Sequence, residues 1–249
     1  MLNTILFDMG GTLEDIWYDA STEAAAGVAT LELLERHGLN PNCGASALFR
    51  KILSGMASYK TWSEDHMLEK KPEEIWPDYC LPGLDRDHLL PIAEEMADLW
   101  EVTYYHRELR PGVPEMLRTL RGRGYQLGVI SNTSSLYSVF NVLEDYGIRG
   151  FFQDVTLSSV TGYRKPHPGI FRISLREMRA RPEQCVYVGD TVSRDIIGAK
   201  RMGLGMAIQI PSFLTAQKDA GMEGTDRPDL VIRDFSELTA FLDQPVSPA

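Results

Sequence analysis

Two textures of apolar and polar positions divide this chain. Short apolar runs that close on a polar turn recur at residues 4–8 (TILFD), 126–132 (QLGVISN), 154–159 (DVTLSS), 185–190 (CVYVGD) and 205–210 (GMAIQI). Each has strand length, and runs this continuous suit strands covered on both faces. Helix-period stretches of ordinary crossover length lie between the later ones. GVPEMLRTLRGRG (112–124) opens beside Pro111 and Pro114 and stops at glycine. HPGIFRISLREMRA (167–180) carries apolar residues at Ile170, Phe171, Ile173, Leu175 and Met178. Strand alternating with helix predicts an α/β fold, a doubly wound parallel sheet with helices on both faces. The closing DLVIRDFSELTAFL (229–242) adds one more strand and a last helix.

The stretch from Asp15 to His106 reads differently. It holds no convincing strand and several amphipathic helical patterns. One is STEAAAGVATLELLERHG (21–38), with Ser21 as its N-cap and Gly38 just past its end. Another, DRDHLLPIAEEMADLWEVTYYHREL (85–109), is interrupted by Pro91 and should start near it. The first strand is therefore followed by a long helical insertion instead of an ordinary crossover. The chain divides into a core of residues 1–14 and 107–249 and an inserted helical domain of residues 15–106. Only the tail DQPVSPA (243–249) reads as a loose end.

Composition narrows the class. At 249 residues the chain can bury a sizeable core, and no apolar run approaches the ~18 residues of a membrane span. The start MLNTILFDMG has no basic region and its apolar run ends on Asp8, so no signal peptide is read and a cytoplasmic protein is expected. Cys43, Cys80 and Cys185 are far apart, which argues against a disulfide framework or a zinc site. A formal net charge of −10 disfavours nucleic acid as a partner, so an anionic substrate must be drawn by local charge. Oligomeric state leaves no signal.

In an open parallel sheet, ligands bind beyond the carboxyl ends of the strands, near a switch in strand order. Asp8, Ser131-Asn132 and Gly189-Asp190 each stand at such an end, and Lys165 follows the third run by a few residues. Singly, each has a bland reading: a turn carboxylate, an end-of-strand turn, a cap at a helix start. His167, in KPHPGIF, reads as a residue at a helix N-terminus and not as a metal ligand. In order along successive strands, they place two carboxylates, a hydroxyl, turn amides and an ammonium together. That set suits a divalent hard cation and a phosphoryl group.

The chain here resembles the haloacid dehalogenase-like superfamily, most of whose members are phosphohydrolases. The resemblance runs through DMGGTL, VISN, Lys165 in RKPHPGIF and VGDTVSRD, in that order, and spans the whole chain. The insertion lies where that family places its helical C1 cap over a Rossmann-like core. The resemblance implies Asp8 as a nucleophile forming an aspartyl-phosphate, with Thr12 steadying its loop. It implies Ser131, Asn132 and Lys165 on the phosphoryl oxygens. Mg²⁺ would be held by Asp8, the Gly10 carbonyl and Asp190, with Asp195 a further ligand or an anchor. The expected substrate is a small phosphorylated metabolite, because a cap that closes over the site excludes large ones.

Position 10 departs from the pattern. Phosphatases of this family usually carry a second Asp there, as general acid and then base. Glycine keeps the carbonyl but lacks the carboxylate, so the second step is expected to be slow unless Glu14, Asp15 or an insert carboxylate substitutes. The gap leaves alternatives open. A haloacid dehalogenase-like route needs no metal, and a phosphonatase-like route needs an insert lysine, for which Lys51, Lys60, Lys70 and Lys71 are the candidates. A non-catalytic phosphate binder is the third.

Overall fold

The computed structural model describes residues 2–222 and 226–243, so the tail expectation for 244–249 lies outside the described residues. The chain runs through β1 (Thr4–Phe7), β2 (Glu14–Trp17), α1 (Ala20–Arg36), α2 (Ala45–His66), α3 (Pro72–Ile75), α4 (Arg86–Leu89), α5 (Ala93–Tyr104) and β3 (His106–Leu109). It continues through α6 (Val113–Gly122), β4 (Gln126–Ser131), α7 (Ser138–Asp145), β5 (Asp154–Leu157), α8 (Ser158–Thr161), α9 (Pro168–Glu177) and β6 (Cys185–Gly189). Last come α10 (Ile197–Arg201), β7 (Met206–Gln209), α11 (Thr215–Lys218), β8 (Leu230–Val231) and α12 (Phe235–Phe241).

Six strands form one parallel sheet in the order β5-β4-β1-β6-β7-β8. Strand β1 sits between β4 and β6, the point where the order reverses, with Phe7 paired to Val129 on one side and Val188 on the other. Its continuous apolar run has a direct cause. Ile5 and Phe7 enter a core with Leu117, Leu120 and Phe235, while Leu6 enters the opposite core with Ile170, Phe171 and Tyr187. A strand buried on both faces cannot alternate apolar with polar. The predicted doubly wound α/β sheet is present, closing strand and helix included.

The helices between β2 and β3 have their own apolar cluster, built from Leu33 and Leu34 of α1, Leu48 and Ile52 of α2, Trp76, and Met96 and Trp100 of α5. Helix α1 starts earlier than expected, because Asp19 and not Ser21 is the N-cap. Its carboxylate accepts from Ser21 N (2.8 Å) and Thr22 N (3.2 Å), and Thr22 Oγ1 accepts from Asp19 N. One carboxylate oxygen takes both orphan amides, and the Thr22 hydroxyl accepts from the Asp19 amide in return, which completes a capping box. The stretch expected to lack strands begins and ends on one. EDIW (14–17) pairs antiparallel with HREL (106–109), Glu14 opposite Leu109 and Trp17 opposite His106. Neither segment has an apolar run, so only long-range pairing reveals them. Among the described residues no helix is long and apolar enough to cross a membrane.

Gly55 marks the tightest seam of this insert. A Cβ there would stand 2.6 Å from Cys80 Cα and against the Tyr79 backbone, neither of which can yield by a side-chain rotation. Gly55→Ala is expected to lower stability by about 1–3 kcal/mol, as overpacking does, read as a lower urea midpoint at unchanged slope.

Candidate active site

Asp8 follows the last residue of the central strand, and its N–H continues the ladder to Val188 O at 2.9 Å. The chain then folds back tightly, with the amides of Thr12 (3.1 Å) and Leu13 (2.9 Å) donating to Met9 O. Gly11 has φ +94°, and a Cβ there would overlap the Asp190 carboxylate. Glycine is thus required at 11 for both backbone and space. No such demand falls on Gly10, whose φ is not in the left-handed region.

The carboxylates of Asp8, Asp190 and Asp195 bring ligand oxygens within 4.8 Å of one another, all buried. Lys165 Nζ binds two of them, donating to Asp8 Oδ1 (2.6 Å) and Asp195 Oδ1 (2.7 Å), and it also meets Tyr187 OH (3.0 Å). The other oxygen of Asp195 accepts from Thr191 N (3.0 Å) and Thr191 Oγ1 (2.6 Å). Both oxygens of Asp195 are therefore engaged by the protein itself. Asp190 Oδ2 accepts from Ser212 Oγ (2.6 Å) and Lys218 Nζ (3.3 Å).

Burial pushes the Asp8 carboxyl up to about 6; Lys165 pulls it down, and the Asp195 and Asp190 charges push it up. Asp190 is also raised, chiefly by burial. Burial would raise Asp195 too, but the Lys165 charge and the bonds from Lys165 and Thr191 hold it below the usual range. Three carboxylates kept out of water against the two ammonium groups of Lys165 and Lys218 form a site short of positive charge.

Ser131 ends β4 beside Asp8. Asn132 clamps the backbone of Lys165, its Oδ1 accepting from Lys165 N (2.8 Å) and its Nδ2 donating to Lys165 O (3.1 Å). Asp8, Gly10, Ser131, Asn132, Lys165, Asp190 and Asp195 all face one cavity of about 620 Å³ between sheet and insert. Thr12 does not line it; its backbone closes the turn, and its buried hydroxyl has no hydrogen-bond partner among the described residues. His167 caps α9, as its sequence position predicted, accepting from Gly169 N through Nδ1 at 2.9 Å.

The sequence matches the model of the haloacid dehalogenase-like hydrolases over residues 2–203. This chain belongs to that family. A protein of Methanothermobacter thermautotrophicus named glyceraldehyde 3-phosphate phosphatase is 31% identical, across 97% of this chain and 100% of its own. The fold is similar to that of a haloacid dehalogenase-like phosphatase from Thermococcus onnurineus, with TM-score 0.63 and 23% identity over 98% of this chain and 100% of the other. It is as similar to a 2-haloacid dehalogenase from Pseudomonas syringae, with TM-score 0.67 and 21% identity over 98% and 99%. Fold alone does not separate the two chemistries.

Within this hydrolase the residues near position 10 sort by geometry. Asp15 is bound by Arg110 Nε (2.7 Å), is half exposed, and does not line the cavity. Glu14 does line it and is fully buried. Its Oε1 lies 3.8 Å from where a Cβ on residue 10 would stand. Arg107 pairs with that oxygen, and Tyr146 OH donates to Oε2 at 2.9 Å. Burial raises the Glu14 carboxyl above its ordinary range, opposed by Arg107 and the Tyr146 bond. Of the insert lysines, Lys60 alone lines the cavity. Lys51 lies along a separate groove, Lys70 pairs with Glu74 at 2.9 Å, and the Lys71 amide caps back to the Glu74 carboxylate. Tyr187, Ser212 and Lys218 had no signal in the sequence, since each meets the cluster only through the fold.

Proposed function

We propose that the chain is a Mg²⁺-dependent phosphatase that hydrolyses a small phosphorylated metabolite through an aspartyl-phosphate on Asp8. The observation that carries this reading is the meeting of Asp8, Lys165, Asp190 and Asp195 at the switch point, under a cavity shared with Ser131 and Asn132. The likeness to a glyceraldehyde 3-phosphate phosphatase makes a three-carbon phosphate the first substrate to test.

Asp8, Asp190 and the Gly10 carbonyl are the groups that would hold Mg²⁺. The carboxylate oxygens of Asp8 and Asp190, within 4.8 Å of each other and of Asp195, are hard, buried donors that fit that ion. Asp195, fully bonded to Lys165, Tyr187 and Thr191, would hold Lys165 in place and not ligate directly. When bound, the cation supplies charge neutralisation for the phosphoryl oxygens.

The protein groups then divide the work. Asp8, largely ionised at neutral pH with its carboxyl at about 6, attacks phosphorus through one oxygen. An O–P bond to the carboxylate forms as the ester O–P bond breaks, and the departing alkoxide takes a proton from water. Ser131 Oγ, the Asn132 backbone N–H and Lys165 Nζ donate to the phosphoryl oxygens. Water next attacks the aspartyl-phosphate, releasing phosphate and restoring Asp8, and its proton must go to a nearby base. Glu14, placed where a side chain on residue 10 would lead, is the carboxylate we assign to that proton; Arg107 and Tyr146 keep it oriented.

Residues 15–106 act in this reading as a cap over a core of 1–14 and 107–249, with β2 and β3 as its two connections. Glu69 holds the cap closed, accepting from Ser158 Oγ at 2.6 Å and pairing with Arg164.

A panel of phosphate monoesters tests the whole. Turnover should cease with chelator and return with Mg²⁺, and Asp190→Asn should raise the Mg²⁺ needed for half-maximal rate by about 10–100-fold. Halide release from a 2-haloacid, indifferent to chelator, would support the dehalogenase route instead. Phosphate binding without any turnover would leave a binding protein.

A further inference from the structure

The cavity extends beyond what a phosphoryl group needs; Glu23, Glu101 and aromatic side chains line part of the remainder, and one stretch of its wall gathers positive charge. Lys60 on α2, Arg164 before Lys165, Arg194 after β6 and Lys218 at the end of α11 all face it. We propose that this wall receives a second anionic group on the substrate, a carboxylate or a second phosphate, with Lys60 as its principal contact and Arg194 and Lys218 completing the field. The proposal rests on the phosphatase reading above and names its substrate class.

The balance of partners singles out these three. Arg164 is spoken for by Glu69, which Tyr59 and Ser158 also bind. Arg194 and Lys60 share one carboxylate oxygen. Glu64 Oε1 takes Arg194 Nη2 at 2.8 Å, which leaves Lys60 Nζ at 4.0 Å, the edge of an ion pair. That geometry puts two cations on one anion. Lys218 pairs with Asp190 at 3.3 Å, a carboxylate already bonded to Ser212 and, in the reading above, given over to the metal. Partial burial holds the Lys60 ammonium below the usual lysine range, and the charges of Arg194, Lys218 and Arg164 add to this against Glu64. An ammonium so placed gains from an incoming anion, and a neutral substrate end leaves it crowded by like charge.

The aldehyde end of glyceraldehyde 3-phosphate offers no such charge. A carboxylate at the same carbon would.

The test compares 3-phosphoglycerate with glycerol 3-phosphate, which share the ester and the three-carbon frame and differ in a carboxylate against a hydroxymethyl. The wild-type protein with Mg²⁺ should favour the acid in kcat/KM by about tenfold or more, mostly through KM. Lys60→Met should bring that ratio towards one, and Lys60→Glu should reverse it. An aryl phosphate without a second charge, run beside them, reports the phosphatase reading itself. If the wild-type protein fails to turn over the aryl phosphate, that reading falls and takes this one with it. Turnover of the aryl phosphate with no preference for the acid, or a preference unmoved by both Lys60 variants, overturns the second-anion site alone. Covalent trapping of Lys60 by borohydride with an aldehyde phosphate would likewise overturn it, in favour of amine chemistry.

Discussion

Asp8→Asn is expected to abolish turnover of an aryl phosphate, with a fall of about 10³-fold or more in kcat, while the protein stays folded. A carboxamide has the shape of the carboxylate but cannot form the acyl phosphate, so no alternative bond to phosphorus opens. The fold tolerates the change because the amide oxygen can still accept from Lys165 Nζ, and Asp195 keeps that ammonium charge-paired at 2.7 Å. Removing a carboxylate also relieves a cluster in which burial had pushed Asp8 up and the other two acids pushed the same way. The measurement is a steady-state rate beside a thermal melt. A normal rate in a folded Asp8→Asn protein removes Asp8 from the chemistry, and with it the proposed mechanism.

Glu14→Gln separates the two halves of the reaction. Attack by Asp8 on a substrate with a good leaving group needs no protein acid, so the first step should persist. The second step loses its base, and kcat should fall by about 10²–10⁴-fold. A rapid release of one leaving group per site should precede slow turnover, and acid quench should recover a phosphoenzyme. Glutamine can keep the Tyr146 bond, and Arg107 retains Glu101 at 3.2 Å, so the local structure should hold. The stronger test is rescue. Adding Gly10→Asp to Glu14→Gln restores a carboxylate on the same side of the turn, next to the vacated charge. Its Cβ would meet Ile16 Cδ1 at 3.1 Å, the movable end of a side chain, and the backbone at 10 asks nothing that only glycine supplies. Hydrolysis should then recover. A wild-type burst with slow turnover, or a Glu14→Gln rate equal to the wild-type rate, would mean that Glu14 does not take the proton.

Much of this protein was legible in its sequence, for a local reason. A strand buried on both faces must be apolar throughout, as Ile5, Leu6 and Phe7 are, so the sheet strands announced themselves as runs bounded by turns. Their carboxyl ends carry Asp8, Ser131 and Asp190, and a parallel sheet brings such ends together whatever the details of packing. The sequence by itself thus determined the α/β class, and it placed Asp8, Ser131 and Asp190 at strand ends that the sheet brings to one cavity. Strands β2 and β3 were not legible, because EDIW and HREL owe their conformation to each other across the whole insertion. The N-cap at Asp19 turned on its reciprocal bonds with Thr22, which the folded turn displays. The partners of the charged groups belong to the tertiary structure as well. Only there does Glu14 turn inward and Asp15 outward, although they are neighbours, because Arg107 and Tyr146 wait on one side of the strand and Arg110 on the other. Successive side chains of a strand point to opposite faces, but which face meets the cavity is set by residues far away in sequence.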